Sequence, residues 1–211
     1  MQQYNGNANL EDMGVGLYID GSENVYVVGT TSISTINSDI ITIKYDSSGT
    51  LQWLRTYDGT GNSFDSGADI VVDSNGDVYI TGSSYNTTPN TDMVTIKYNS
   101  SGTQQWATTY NYTSNMNDAG VKISIATYWV TISGIVQTGT TTYKWCTMLV
   151  NKSTGVYSNG RISSNASTGI DQVNDMVEDA SGNVYIAGAT PVSGLKNSLL
   201  NASRIFPASF L

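Results

Sequence analysis

The sequence has no histidine and a single cysteine, Cys146. Without imidazole there is no Ser-His-Asp or Cys-His relay and no histidine-ligated zinc, and one cysteine makes no intrachain disulfide. Charge is scarce as well: 12% of the residues are charged, and 9 basic against 17 acidic side chains give a net charge of −8. With a pI near 4.2, the chain lacks the clustered Lys and Arg that nucleic acid or an anionic membrane surface demands. No apolar run approaches the roughly 18 residues of a membrane-spanning helix. The opening MQQYNGNANL lacks the basic and apolar regions of a signal peptide. The composition is nevertheless of an extracellular kind, so the expectation is a secreted or cell-surface protein whose export signal is missing from this stretch.

What the sequence does have is polar, uncharged and periodic. Ser, Thr and Asn make up roughly a third of it, Gly adds 21, and the apolar fraction is 39%, which suffices for folding when apolar residues alternate along strands. Fourteen Tyr and four Trp supply large packing areas. A chain this long buries about 70% of its unfolded surface, so a single domain without covalent staples is feasible. A repeat runs through it. Asp12, Asp65, Asp118 and Asp171 are spaced 53, 53 and 53 residues, opening DMGVGLYID, DSGADIVVD, DAGVKISIA and DQVNDMVED. NVYVVG, DVYITG, WVTISG and NVYIAG follow, ending at Gly29, Gly82, Gly134 and Gly188. ITIKYDSSGT, VTIKYNSSGT and the eroded MLVNKSTGV align Gly49, Gly102 and Gly155, and LQWLRTYDG against QQWATTYNY aligns Trp53 with Trp106. Each period thus holds four short segments of alternating or β-branched residues between Gly, Asn, Asp and Ser clusters, which supply the positive-φ positions of tight turns. No window shows a sustained 3.6-residue period, so helices are expected to be few. Four strands repeated at this interval predict an all-β fold, a β-propeller of four 53-residue, four-stranded blades.

An inner strand, then D-x-x-G-N-V-Y-V-x-G, then D-I-x-T-I-K-Y-D-x-x-G, then a Trp resembles the SBBP-type repeat of bacterial secreted and surface propellers. The resemblance runs from residue 1 to about 190 and is sharpest in the first two units. The third has drifted, with Trp129 and Thr131 for the Val-Tyr pair, Val150 for the Lys and Asn159 for the Trp. The resemblance implies a propeller and leaves the biochemical activity unassigned.

One domain is expected over residues 1–211, with blades at about 10–58, 63–111, 116–163 and 169–211 plus 1–6. Tyr4 falls on the outer-strand Tyr57 and Tyr110, so the first six residues are expected to supply the outermost strand of the last blade and remove its exposed edge. The tail PVSGLKNSLLNASRIFPASFL departs from the repeat and lacks the IKYD strand, though it could pair as an edge. Closure into a four-bladed ring, an eight-bladed ring of two chains, and an open fragment of a longer protein are three possible assemblies.

In a propeller the first strand of each blade is innermost, so Asp12, Asp65, Asp118 and Asp171 would ring one channel mouth. Converging carboxylates repel unless a proton, a donor or a cation compensates, and a hard cation such as Ca²⁺ is one compensation. The other reading has each Asp capping its own turn on backbone N–H groups. Asp69 and Asp175 would point into the channel or against a neighbouring blade. Asp20–Asn24, Asp73–Asp77 and Asp179–Asn183 resemble the start of a calcium loop without its later Glu, and hairpin turns opened by Asp explain them more simply. Tyr45, Tyr98, Trp53 and Trp106 recur as packing between blades, and Cys146 sits in a strand-like YKWCTML as a buried thiol. The drifted residues Trp129, Lys144, Trp145 and Lys152 are those freed from purely repeat duty.

The function expected is an extracellular or cell-surface binding and adhesion module that takes a protein, glycan or small-molecule partner on one ring face, with a homodimer among the assemblies. The alternative is a Ca²⁺-dependent propeller hydrolase of esterase, lactonase or phosphotriesterase type that uses the Asp12, Asp65, Asp118 and Asp171 ring.

Overall fold

The computed structural model describes residues 3–86, 90–113, 116–163, 169–179, 181–191 and 198–204. Among these the fold is all-β, without a helix: fifteen strands form four small antiparallel sheets. The first sheet holds β1 (Asp12–Ile19), β2 (Val25–Ser34), β3 (Asn37–Tyr45) and β4 (Leu51–Tyr57), paired in chain order. The second repeats this with β5 (Ser66–Val72), β6 (Val78–Tyr85), β7 (Thr91–Tyr98) and β8 (Gln104–Tyr110), and the third with β9 (Asp118–Ile125), β10 (Trp129–Gly139), β11 (Thr142–Asn151) and β12 (Tyr157–Ile162). The fourth has three strands: β13 (Gln172–Glu178), β14 (Val184–Pro191) and β15 (Ser198–Arg204).

Hairpin turns follow from the Asx chemistry of the sequence. Asp20 accepts from the Ser22 and Asn24 amides at 2.8 and 2.9 Å, Asp73 from Asn75 and Asp77 at 2.9 and 3.1 Å, and Asp179 from Ser181 and Asn183 at 2.9 and 2.8 Å. The calcium-like loops are therefore Asp-opened turns, with one oxygen of each Asp spent on its own backbone and the other on neighbouring side chains. Gly76 and Gly182 close two of them at φ 78° and 76°, whereas Glu23 holds the equivalent position at φ 63°.

The first strand of each sheet carries a bulge at the same phase. The register slips around Val15, Ala68, Val121 and Asn174, 53 residues apart. The bulge turns one carbonyl toward the second strand, and there the recurring glycine is required by space. A Cβ on Gly29, Gly82, Gly134 or Gly188 would lie 2.1, 2.0, 2.1 or 2.0 Å from the oxygen of Met13, Ser66, Ala119 or Gln172.

The sheets stack face to face, with β1 against β5, β5 against β9 and β9 against β13. Tyr26, Val28, Ile40 and Trp53 of the first sheet pack on Ile70, Val72, Val78, Ile80, Val94, Ile96 and Tyr98 of the second. Tyr79 and Met93 of the second meet Ile123, Val130, Ile132, Cys146, Met148 and Val150 of the third. A smaller cluster of Val173, Val184 and Ile186 joins the third to the fourth, with Trp145 and Leu149 against it. Each buried side chain of this kind contributes about 1.5–3 kcal/mol relative to exposure, so these junctions supply most of the stability.

In the last sheet the tail takes up the edge pairing open to it. Its third strand is β15 from the tail, paired with β14 from Tyr185 opposite Arg204 to Pro191 opposite Ser198. Residues 3–6, expected to close that blade, lie in no strand. Residues 1, 2 and 205–211 lie outside the described residues. Gly6 explains the difference: its amide donates to Asp12 at 2.7 Å, which ties the N-terminal segment to the first sheet.

Glu23→Gly should raise the stability, because a β-carbon in the left-handed region costs about 1–2 kcal/mol and glycine returns roughly 0.5–1 of it as unfolded-state entropy. Urea unfolding should show a gain of up to about 1 kcal/mol, and a loss would mean that the Glu23 side chain holds the turn.

Candidate functional site

The four repeat aspartates were the first candidates, and the structure gives each a local partner set. Asp12 Oδ2 accepts from the Gly6 amide and Oδ1 from the Thr31 hydroxyl at 2.6 Å. Asp65, fully buried, accepts from Gly59 N at 2.5 Å and Tyr85 N at 2.9 Å. Asp118 accepts from Tyr112 N at 2.7 Å and Gln137 N at 3.1 Å. Asp171 accepts from Trp145 N at 3.3 Å and the Ser163 hydroxyl at 2.8 Å. Gly6, Gly59 and Tyr112 each precede their aspartate by 6 residues. The recurring carboxylate therefore fastens the entering connection to the sheet it enters. Asp69 turns against a neighbouring sheet, where Oδ2 accepts from Ile123 N at 3.1 Å.

A denser acidic group lies at the first junction. Asp39 near the start of β3, Asp58 just after β4 and Asp65 just before β5 bring one carboxylate oxygen each to within 4.8 Å of one another. The β4–β5 connection is laid against β3 to make this possible: Ser38 and Phe64 form a parallel bridge, and Asp65 N donates to Ser38 O at 2.8 Å. Asp39 and Asp65 are buried, and Asp58 is exposed. Burial, with help from Asp58 and Asp65, pushes the Asp39 carboxyl up to about 6. Burial and Asp65 also raise Asp58. Beside this group runs a groove of about 350 Å³, where Leu10, Met13 and Phe64 are flanked by hydroxyls and amides of Thr30, Ser32, Ser34, Thr35, Asn37 and Ser38. Of this trio the repeat pattern singles out Asp65 alone. The signal that would have found the trio is the repeat itself, since Asp58 is an Asp where the next unit has Asn111.

The remaining candidates have structural employment. Trp53 Nε1 donates to Ser100 O and Trp106 Nε1 to Lys152 O, both at 3.1 Å across a junction. Trp53 packs at ring-centroid distances of 6.3 and 6.2 Å from Tyr26 and Tyr98. Lys44 lies 5.1 Å from the Tyr26 ring centroid. Among the drifted residues, Lys152 pairs with Asp73 at 3.1 Å and stands over Tyr79, and Trp145 packs on the fourth sheet's cluster. Cys146 is fully buried and its thiol is pushed up by that burial, which removes the thiolate a nucleophile needs.

No protein-family model matches the sequence, and no curated protein matches it. Among solved structures, a protein of unknown function from Dyadobacter fermentans superposes with a TM-score of 0.56 at 7% identity, over 90% of this chain and 59% of that one. This chain therefore spans well under two thirds of that protein's length. An endo-arabinase from Bacteroides thetaiotaomicron superposes with a TM-score of 0.48 at 11% identity, over 90% of this chain and 73% of that one. At 7% identity the likeness to the Dyadobacter protein speaks to the all-β fold alone.

Burial also pushes Asp118 up to about 6, outweighing the two amides that favour its charge, with Asp92 adding repulsion. A carboxyl that holds its proton more tightly when folded stabilises below its unfolded pKa, and that contribution is lost as pH rises through the folded value. Relative to Asp118→Asn, the parent should therefore lose stability between about pH 4 and pH 6. Urea unfolding across that range checks it, and a gap that moves the other way would show that the two amides dominate.

Proposed function

We propose that the chain is a propeller-type module of the SBBP kind that works by binding at the cell surface or outside the cell, and that its first sheet presents the association face to a second copy. The observation that carries this reading is a junction half-built at both ends of the stack. Ile70 and Val72 are 2% and 4% exposed because the first sheet covers them, whereas Leu17 and Ile19, one period earlier, are 62% and 57% exposed. At the other end, Tyr185 is 38% exposed where its counterparts Tyr26 and Tyr79 are fully buried by the next sheet. One chain thus offers a backward face and a forward face of the same junction. Two such halves fit head to tail, the heterologous contact that closes into a larger ring or propagates. Four-bladed closure within one chain competes with this arrangement for the same faces.

The hydrolase reading draws less support. The oxygens of Asp12, Asp65 and Asp118 accept hydrogen bonds from their own sheets and the connections entering them, and those of Asp171 from Trp145 of the third sheet and Ser163 just after it. That geometry favours anchoring over catalysis, and the binding face lies elsewhere.

Light scattering on size-exclusion chromatography over a range of concentrations tests the association. The parent chain should run above monomer mass as concentration rises. Leu17→Asp should stay monomeric with a melting temperature within a few degrees of the parent, because the exposed Leu17 adds little to folding. A parent that remains monomeric at every concentration contradicts the reading.

A further inference from the structure

At the first junction three carboxylates converge, while Arg55, the cation that bridges the same two sheets, is spent on the carbonyls of Leu54, Ser101 and Gly102. Lys97 pairs with Asp77 and Lys152 with Asp73 rather than with Asp39, Asp58 or Asp65. Asp39 is 8% exposed, and its Oδ1 is buried without a hydrogen-bond partner while the carboxylate faces the other two. Leaving such an atom unsatisfied is costly, and in a carboxylate more so than in a neutral group.

The next junction shows how the same place is built when it must stand without an ion. Asp92, Asn111 and Asp118 lie 53 residues after Asp39, Asp58 and Asp65. There one carboxylate has become an amide, and Asp92 is surrounded by donors. Asn90 Nδ2 reaches its Oδ1 at 3.0 Å, Asn86 Nδ2 bonds its Oδ2, and Asn111 adds a third bond. At the first junction Ile33 stands where the second has Asn86, Asp58 stands where it has Asn111, and Asn37, the counterpart of Asn90, leaves Asp39 Oδ1 without a donor. One junction has replaced charge by donors. The other has kept the charge and lacks the donors.

We propose that Asp39, Asp58 and Asp65 form a Ca²⁺ site that staples the first sheet to the second. Oxygen-only donors at this mutual distance suit a hard cation, and Ca²⁺ tolerates the irregular geometry that three different backbone segments impose. Asp65 keeps its bonds to Gly59 N and Tyr85 N, because a carboxylate has about four acceptor positions and uses two here. Exposed Asp58 leaves one side open, through which water completes the six to eight oxygens that the ion takes. The site is built on residues 39, 58 and 65, so binding would fix the β4–β5 connection and with it the stacking of the two sheets.

The test uses the 211-residue chain after chelation and dialysis. Calorimetric titration with Ca²⁺ should give a single saturable site, and about 1 mM Ca²⁺, the range of extracellular modules, should raise the melting temperature by several degrees over chelator. Asp58→Asn copies the second junction at an exposed position and so should fold, with affinity lowered at least about tenfold. Asp46→Asn, at an exposed turn carboxylate outside the trio, should titrate as the parent does. No heat and no thermal shift in the parent would overturn the site in favour of a shared proton. An Asp58→Asn variant that titrates like the parent, or an Asp46→Asn variant that does not bind, would equally overturn it.

Discussion

The structure depends on one recurring contact, a tryptophan laid on the glycine turn of the following sheet. Gly102 sits at φ 77° beneath Trp53, and Gly155 at φ 72° beneath Trp106. A Cβ at either glycine would come within 2.8 Å of the indole above it. The indole N–H finds a carbonyl in the same turn, so the one polar atom of a large apolar ring is satisfied at the point of burial. Four strands cannot bury both faces alone, and only stacking makes the faces a core. Arg55 reinforces the first of these contacts, donating to Gly102 O at 2.6 Å while lying over the Trp53 ring.

Around that contact each repeated residue type has a mechanical task. The bulge in the first strand of each sheet sets a carbonyl where only glycine fits, the Asx residues close the hairpins, and Asp12, Asp65 and Asp118 gather amides of the entering connections. The same residues that form the clearest motif are the ones least free for chemistry. Function has to be sought where the repeat is broken or unfinished. Two places meet that description: the outward face of the first sheet, and the first junction, where Asp58 keeps a charge that Asn111 has lost.

Much of the fold was legible because a 53-residue period multiplies every weak local signal. Alternation, Gly punctuation and Asx residues recur in register, and the four-stranded unit follows from them. The role of Asp12, Asp65, Asp118 and Asp171 was only half legible. A motif shows that a carboxylate is needed but not whether an ion or an amide faces it, which depends on where the preceding connection passes. The two ends of the chain were half legible for a related reason. Tyr4 matches Tyr57 in type, yet Gly6 and Asp12 hold that segment on the first sheet, and β15 supplies the third strand of the last sheet from sequence that carries no repeat signature. The Asp39, Asp58 and Asp65 group was hidden because its members come from three segments, and only the parallel bridge at Ser38 and Phe64 brings them together.

The central claim, that stability resides in the junctions rather than within single sheets, is tested most directly by the equilibrium unfolding of Trp53→Ala. Trp53 is 7% exposed and touches both sheets of the first junction. The account predicts a loss of about 3–5 kcal/mol, the range for truncating a buried large aromatic, with Leu17 and the rest of the outward face unaffected. A loss below about 1 kcal/mol, the level of an ordinary surface substitution, would show that the sheets hold together without the contact and would contradict it.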